Sequence, residues 1–171
     1  CKKISNMSYS FEKPQGSKEE IYQIIHKQIE ALVEGESDLI ANMANVAAIL
    51  HNSFDFWWTG FYRVLPKSSQ NGQVVEDELV LGPFQGPVAC MHIGYGKGVC
   101  GSSWKEKRTL LVPDVELFPG HIACSSLSKS EVVVPIFRGE EVIAVLDIDS
   151  DKLATFDQTD KYWLEKIVKL L

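Results

Sequence analysis

Ile21, Ile24, Ile25, Ile29, Leu32 and Val33 recur at spacings of three and four, the stripe of an amphipathic helix. Ser17 and Glu20 stand before it with the S-x-x-E spacing of a capping box, so the helix begins just after Ser17, and Gly35 ends it. A second helical stripe, Leu39, Ile40, Met43, Val46, Ala47 and Leu50, starts near Ser37 or Asp38. From residue 54 the apolar period changes to two. Residues 56–64 (FWWTGFYRV) read as an aromatic, β-branched strand, and Gly60 inside it marks a bulge or a close backbone approach. Residues 66–77 read as a polar loop around Asn71-Gly72. Strands are expected at 78–84 and 88–93, joined around Gln85-Gly86-Pro87. The glycine-rich stretch Gly94, Gly96, Gly98 and Gly101 leads into a short helix over 99–107. A short strand at 110–112 precedes a long irregular segment, 113–130, of the kind that is usually functional or mobile. Two strands, 131–138 and 141–149, follow with a tight turn at Gly139. The second reads VIAVLDID, apolar on both faces, which predicts a central strand. Asp157 can cap a final helix with the stripe Trp163, Leu164, Ile167, Val168 and Leu171.

The order α-α-β-β-β-(α)-β-β-β-α, with hairpin-length connections between strands, predicts an α+β domain built on an antiparallel sheet flanked by helices. At 171 residues the chain is one domain, read as a polar arm over 1–16 and a folded unit over 17–171. The glycines fit neither the P-loop spacing nor a dinucleotide fingerprint, and they read as turn geometry.

Composition narrows the partners. With 45% hydrophobic and 23% charged residues the chain has ordinary globular values. The 17 Lys and Arg against 23 Asp and Glu give a net charge of −6, and the cations are scattered. A phosphate-tracking protein needs a basic face, so neither nucleic acid nor an anionic membrane surface is an expected partner. No apolar stretch approaches the ~18 residues of a membrane span, and no leader is apparent, so a cytoplasmic setting is expected. There, cysteines are more often catalytic or metal-binding than structural. A domain this size also folds without disulfides.

The four cysteines therefore need another explanation. Cys90, Cys100 and Cys124 lack the close C-x₂₋₄-C pairs of zinc sites, and a zinc reading would have to gather His92 and His121 with scattered cysteines. Cys90 alternates with Met91 in an expected strand and could be core. Cys100 follows the glycine-rich turn at a helix N-terminus, where backbone N–H groups would lower its thiol pKa. Cys124 lies in the long loop beside hydroxyls, placed for reaction rather than packing. Such thiols suggest dithiol chemistry, one oxidised and another resolving it. Cys1, in the arm, is given no role. Asp147 and Asp149 are two apart on a strand and share a face with Ile143 and Val145, and Glu131 opens the neighbouring strand. Such acids can bind an ammonium group, and a desolvated one can donate a proton. Trp58 and Tyr62 flank Gly60 on one strand face and could form an aromatic wall. Together these suggest a closed pocket for a small zwitterion beside reactive thiols.

Six stretches in order resemble the free methionine-(R)-sulfoxide reductases, which are single GAF-type domains. They are Trp58-Thr-Gly-Phe-Tyr62; Leu81-Gly-Pro-Phe-Gln-Gly86 with Ala89-Cys90; Gly96-Lys-Gly-Val-Cys100-Gly101; Pro119-Gly-His-Ile-Ala-Cys124; Ser130-Glu131-Val-Val-Val-Pro135; and Val145-Leu-Asp-Ile-Asp-Ser150. The resemblance runs from about residue 17 to the end. It implies a six-stranded antiparallel sheet with helices on both faces, and reduction of the free amino-acid sulfoxide rather than of residues in proteins. It matches Cys124 to the attacking cysteine, with Cys100 as its rival, and Cys100 and Cys90 to the resolving partners. It matches Glu131, Asp147 and Asp149 to acids that hold substrate and assist protonation, and Trp58 and Tyr62 to the aromatic wall. It implies thioredoxin as reductant, no metal or organic cofactor, and compatibility with a homodimer. The competing class is a GAF-type module that senses a small molecule or redox state without catalysis.

Overall fold

The structure, a computed structural model, describes residues 11–68, 74–122 and 126–171. Cys1, Cys124 and the Asn71-Gly72 pair lie outside the described residues. Two helices, α1 (Lys18–Val33) and α2 (Leu39–Phe54), precede strands β1 (Trp58–Ser68), β2 (Val74–Gln85) and β3 (His92–Gly94). Helix α3 (Gly98–Glu106), strand β4 (Leu110–Val112) and a 3₁₀ turn (Val115–Leu117) follow. Strands β5 (Ser130–Arg138) and β6 (Glu141–Ser150) and helix α4 (Gln158–Val168) complete the chain. The six strands form one antiparallel sheet in the order β3-β2-β1-β6-β5-β4, so β6 is central, as its apolar run predicts, with β1 beside it.

Helix ends follow local chemistry. The Ser17 hydroxyl accepts from the Glu20 amide and the Glu20 carboxylate accepts from the Ser17 amide, closing the expected capping box. Asp38 caps α2 through the Ala41 amide, and Asp157 caps α4 through Thr159 and Asp160. Each cap satisfies amides that have no intrahelical partner.

The sheet separates two cores. On one face α1, α2 and α4 bury Tyr22, Ile25, Ile29, Met43, Leu50 and Leu164 against Phe61, Val134, Leu146 and Ile148. On the other, α3 and the loops cover Trp58, Tyr62, Leu79, Val133 and Val145. Helices on both faces and an α+β class are thus as expected.

Four expectations need correction. Within the expected loop 66–77, residues 66–68 and 74–77 are strand: Pro66 pairs with Asp77 and Lys67 with Glu76, so β1 and β2 continue as a solvated two-stranded ribbon whose charged residues hid its pairing. The strand expected at 88–93 shrinks to β3. The turn at Gly86-Pro87 swings residues 87–90 off the sheet, and the chain rejoins it where the Met91 carbonyl accepts from the Leu81 amide, so Val88 is 89% exposed and Cys90 is not in a strand. Ile143 does not share the face of Asp147, because a register shift between Ile136 and Phe137 of β5 bulges β6 there and turns it to the opposite core. Ile24 and Ile40 belong to the helical stripes but stay exposed, while Tyr22 takes the fully buried place. Among the described residues no helix is long and apolar enough to cross a membrane.

Candidate active site

A pocket opens on the α3 face, lined by Trp58, Tyr62, Cys100, His121, Glu131, Asp147 and Asp149 and rimmed by residues 87–89. Strand register assembles the acids. Asp149 pairs with Glu131 of β5 and with Trp58 of β1, and Asp147 pairs with Gly60. Period-two alternation puts Asp147 and Asp149 on one face, and the antiparallel register brings Glu131 beside them.

Gly60 makes the aromatic wall. A Cβ there would lie 2.4 Å from Phe84 Cβ and 2.5 Å from Trp58 Cη2, so only glycine lets the indole lie across the strand. Trp58 stacks on Tyr62 at 6.0 Å and on Phe84 at 5.4 Å between ring centroids. Both polar ends then hold the Cys90 segment. Trp58 Nε1 donates to the Pro87 carbonyl and the Tyr62 hydroxyl to the Cys90 carbonyl, each at 3.0 Å. The sequence pointed to the wall but not to this strap.

The second thiol is set by Gly101, whose Cβ would lie 2.4 Å from the Gly94 carbonyl oxygen. That contact seats α3 against β3 and turns Cys100 inward, 4.0 Å from Glu131 Oε1. The expected lowering of this thiol is overturned. Burial first, then Asp147, Glu131 and Asp149, push Cys100 well above its ordinary value, and a helix N-terminus contributes too little to offset that. Cys100 is a free, buried thiol, whereas Cys90 is disulfide-bonded.

The acids crowd one another. Burial, then the neighbouring carboxylates, pushes Glu131 and Asp147 well up. Burial raises Asp149 to about 6, opposed by a hydrogen bond from the Ser128 hydroxyl. Asp147 Oδ1 is buried with no hydrogen-bond partner. His121 Nε2 stands 3.9 Å from a Glu131 carboxylate oxygen. Burial lowers His121 from its ordinary value, which disfavours the imidazolium that could offset the acids. Sequence reading weighed His121 only as a zinc ligand, and nothing local marked Ser128. Groups so arranged can give a proton to a bound oxygen and accept an ammonium group.

Residues 19–171 match the model of the GAF domain family. This chain belongs to the GAF domain family. GAF domain-containing protein A of Dictyostelium discoideum is 53% identical over 165 residues, covering 96% of this chain and 99% of that protein. The free methionine-R-sulfoxide reductase of Saccharomyces cerevisiae is 40% identical over 161 residues, 91% of this chain and 86% of the relative. Among solved structures, the free methionine-R-sulfoxide reductase from Neisseria meningitidis in complex with its substrate superposes with a TM-score of 0.84 at 45% identity, covering 94% of this chain and 92% of that one. The GAF domain of this chain thus carries, on its α3 face, three crowded acids and a buried thiol behind an aromatic wall.

Proposed function

We propose that this GAF domain reduces free methionine-(R)-sulfoxide to methionine. The observation that carries the reading is the pocket's charge: Glu131, Asp147 and Asp149 converge with one buried oxygen of Asp147 unpartnered, beside an apolar wall of Trp58 and Tyr62. A small molecule with a cationic end and a polar sulfur–oxygen group meets both needs. The kinship with named reductases points the same way.

In this mechanism Trp58 and Tyr62 hold the substrate's methyl end, and Asp147 with a neighbouring acid holds the ammonium. Glu131 or Asp149 protonates the sulfoxide oxygen, which makes the sulfur electrophilic; burial pushes Glu131 well up, which favours its protonated form, while Asp149, at about 6, holds its proton mainly below neutral pH. The Cys124 thiolate attacks the sulfur. In the adduct so formed the protonated oxygen passes to Cys124. The sulfoxide S–O and the transient S–S bonds break with an electron pair returned to the substrate sulfur, methionine leaves, and Cys124 is left as a sulfenic acid. A second thiol attacks that sulfenic sulfur, forms a disulfide and expels water. Cys90 is the better candidate for this step, because it is disulfide-bonded while Cys100 is free and buried. The raised pKa of Cys100 also makes it the poorer rival to Cys124 as attacker. Thioredoxin, a dithiol reductant, reduces the disulfide by exchange. The requirement for a free ammonium explains selection of the amino acid over peptide sulfoxide.

The test is NADPH oxidation coupled through thioredoxin and its reductase. The free R-epimer should turn over, with the S-epimer and peptide sulfoxide slower by about two orders of magnitude or more. Comparable rates on all three would refute the specificity. Tight cyclic-nucleotide binding without turnover would favour a sensor instead.

A further inference from the structure

We propose that the pocket also binds a thiophilic divalent cation of the zinc class, held by Cys100, Glu131 and Asp147. One ligand atom from each of these residues lies within 4.8 Å of the others, and all three residues are buried. Zinc bonds of about 2.0–2.3 Å set tetrahedral donors roughly 3.5 Å apart, so the cluster needs to contract by only about an ångström. The second, independent observation is Asp147 Oδ1, whose residue is 6% exposed and which has no hydrogen-bond partner. A buried carboxylate oxygen without a partner is costly, and a cation in the pocket would supply one.

The donor set chooses the ion. A thiolate with two carboxylates suits zinc, whereas magnesium and calcium select oxygen donors. Three protein ligands leave a fourth position for water, the arrangement of an open zinc site. Asp149 is occupied by the Ser128 hydroxyl, and His121 stands 3.9 Å behind Glu131, placed to orient that ligand. Because Cys100 is the free thiol while Cys90 is disulfide-bonded, a sulfur donor remains even in the oxidised protein. The cation takes the place of the substrate's ammonium group, so it acts as a competitive inhibitor; this consequence alone rests on the proposed function.

The test uses the purified protein with its disulfide intact and again after reduction. Cobalt(II), the spectroscopic stand-in for zinc, is titrated in and the thiolate-to-metal charge-transfer band is followed. Wild type should take up one equivalent with that band. Cys100→Ser should lose it, Cys90→Ser should keep it, and magnesium in excess should not displace it. Asp147→Asn should weaken zinc binding at least about tenfold and serves if Cys100→Ser does not fold. Absence of the band, its survival in Cys100→Ser or its loss in Cys90→Ser would overturn the site, as would unchanged affinity in Asp147→Asn. Methionine should raise the apparent zinc Kd. Sulfoxide turnover with no metal binding would remove this inference and leave the function standing; metal binding with no turnover would do the reverse.

Discussion

Asp160 and Asp147 are both buried carboxylates, packed on opposite faces of one sheet. Asp160, 1% exposed, has partners on both oxygens: the Tyr22 hydroxyl donates to one at 2.8 Å, and Lys18 Nζ at 2.5 Å and the Asp157 amide at 2.8 Å share the other. Those donors come from α1 and from the start of α4, so the carboxylate ties the chain's first helix to its last. Asp147, 6% exposed, has one oxygen with no partner and two more carboxylates beside it. A buried charge is tolerated when paired and hydrogen-bonded, and it is costly otherwise. The α1–α4 face spends its acid on stability. The α3 face keeps a destabilising cluster, which a fold retains where a ligand completes it.

The largest expected effect breaks the supported side. Asp160→Ala leaves the buried Tyr22 hydroxyl without its acceptor and Lys18 with only Asp157 and the Thr155 carbonyl, and it should lower unfolding free energy by about 3 kcal/mol, with sulfoxide turnover per folded molecule unchanged. Its mirror, Asp147→Asn, should cut turnover by about 100-fold or more while leaving stability near neutral pH equal or higher. Denaturant titration and steady-state rates on both proteins check the pair, and a stabilising role for Asp147 would erase the contrast.

The next effect concerns pH. A carboxyl moved from 3.8 to about 6 binds its proton more tightly folded than unfolded. Its contribution to stability is therefore full below about 3.8 and is lost as pH rises through about 6. Ionised Asp149 then costs about 3 kcal/mol. Relative to wild type, Asp149→Asn should gain about that much stability between roughly pH 4 and pH 8, measured by chemical denaturation at each. A pH-independent difference would place Asp149 outside the crowded cluster.

The smallest effect concerns the strap. Tyr62→Phe removes the hydrogen bond to the Cys90 carbonyl and should cost about 1 kcal/mol of stability. It should also slow disulfide formation while sparing substrate affinity, because the ring of the wall remains. Rapid-quench trapping of the sulfenic acid reads this directly.

Much of the fold was legible because the signals are local. The Ser17 and Asp157 caps, the bracketing of α2 by Asp38, and the central place of VIAVLDID follow from neighbours within a few residues. What failed to show depends on partners distant in sequence. Pro66, Lys67, Glu76 and Asp77 show no apolar alternation, and only pairing across the hairpin makes them strand. Ile24 yields its place to Tyr22, whose hydroxyl finds Asp160 138 residues away. The acids were legible from alternation on β6, and Trp58, Gly60 and Tyr62 from one strand motif. The environment of Cys100 was not, because a helix N-terminus is a sequence feature whereas burial against three carboxylates is a tertiary one. Cys90 misled for the same reason: a period-two apolar run says strand until Gly86 and Pro87 turn it off the sheet.

The central claim is that Cys124, and not the buried Cys100, attacks a sulfoxide held by the acid cluster. Methionine release from free methionine-(R)-sulfoxide under single turnover, without reductant, tests it most directly. Wild type should release methionine in one burst, Cys90→Ser and Cys100→Ser should retain the burst, and Cys124→Ser should release none. A full methionine yield from Cys124→Ser, with loss in Cys100→Ser, would contradict the account and make the buried thiol the nucleophile.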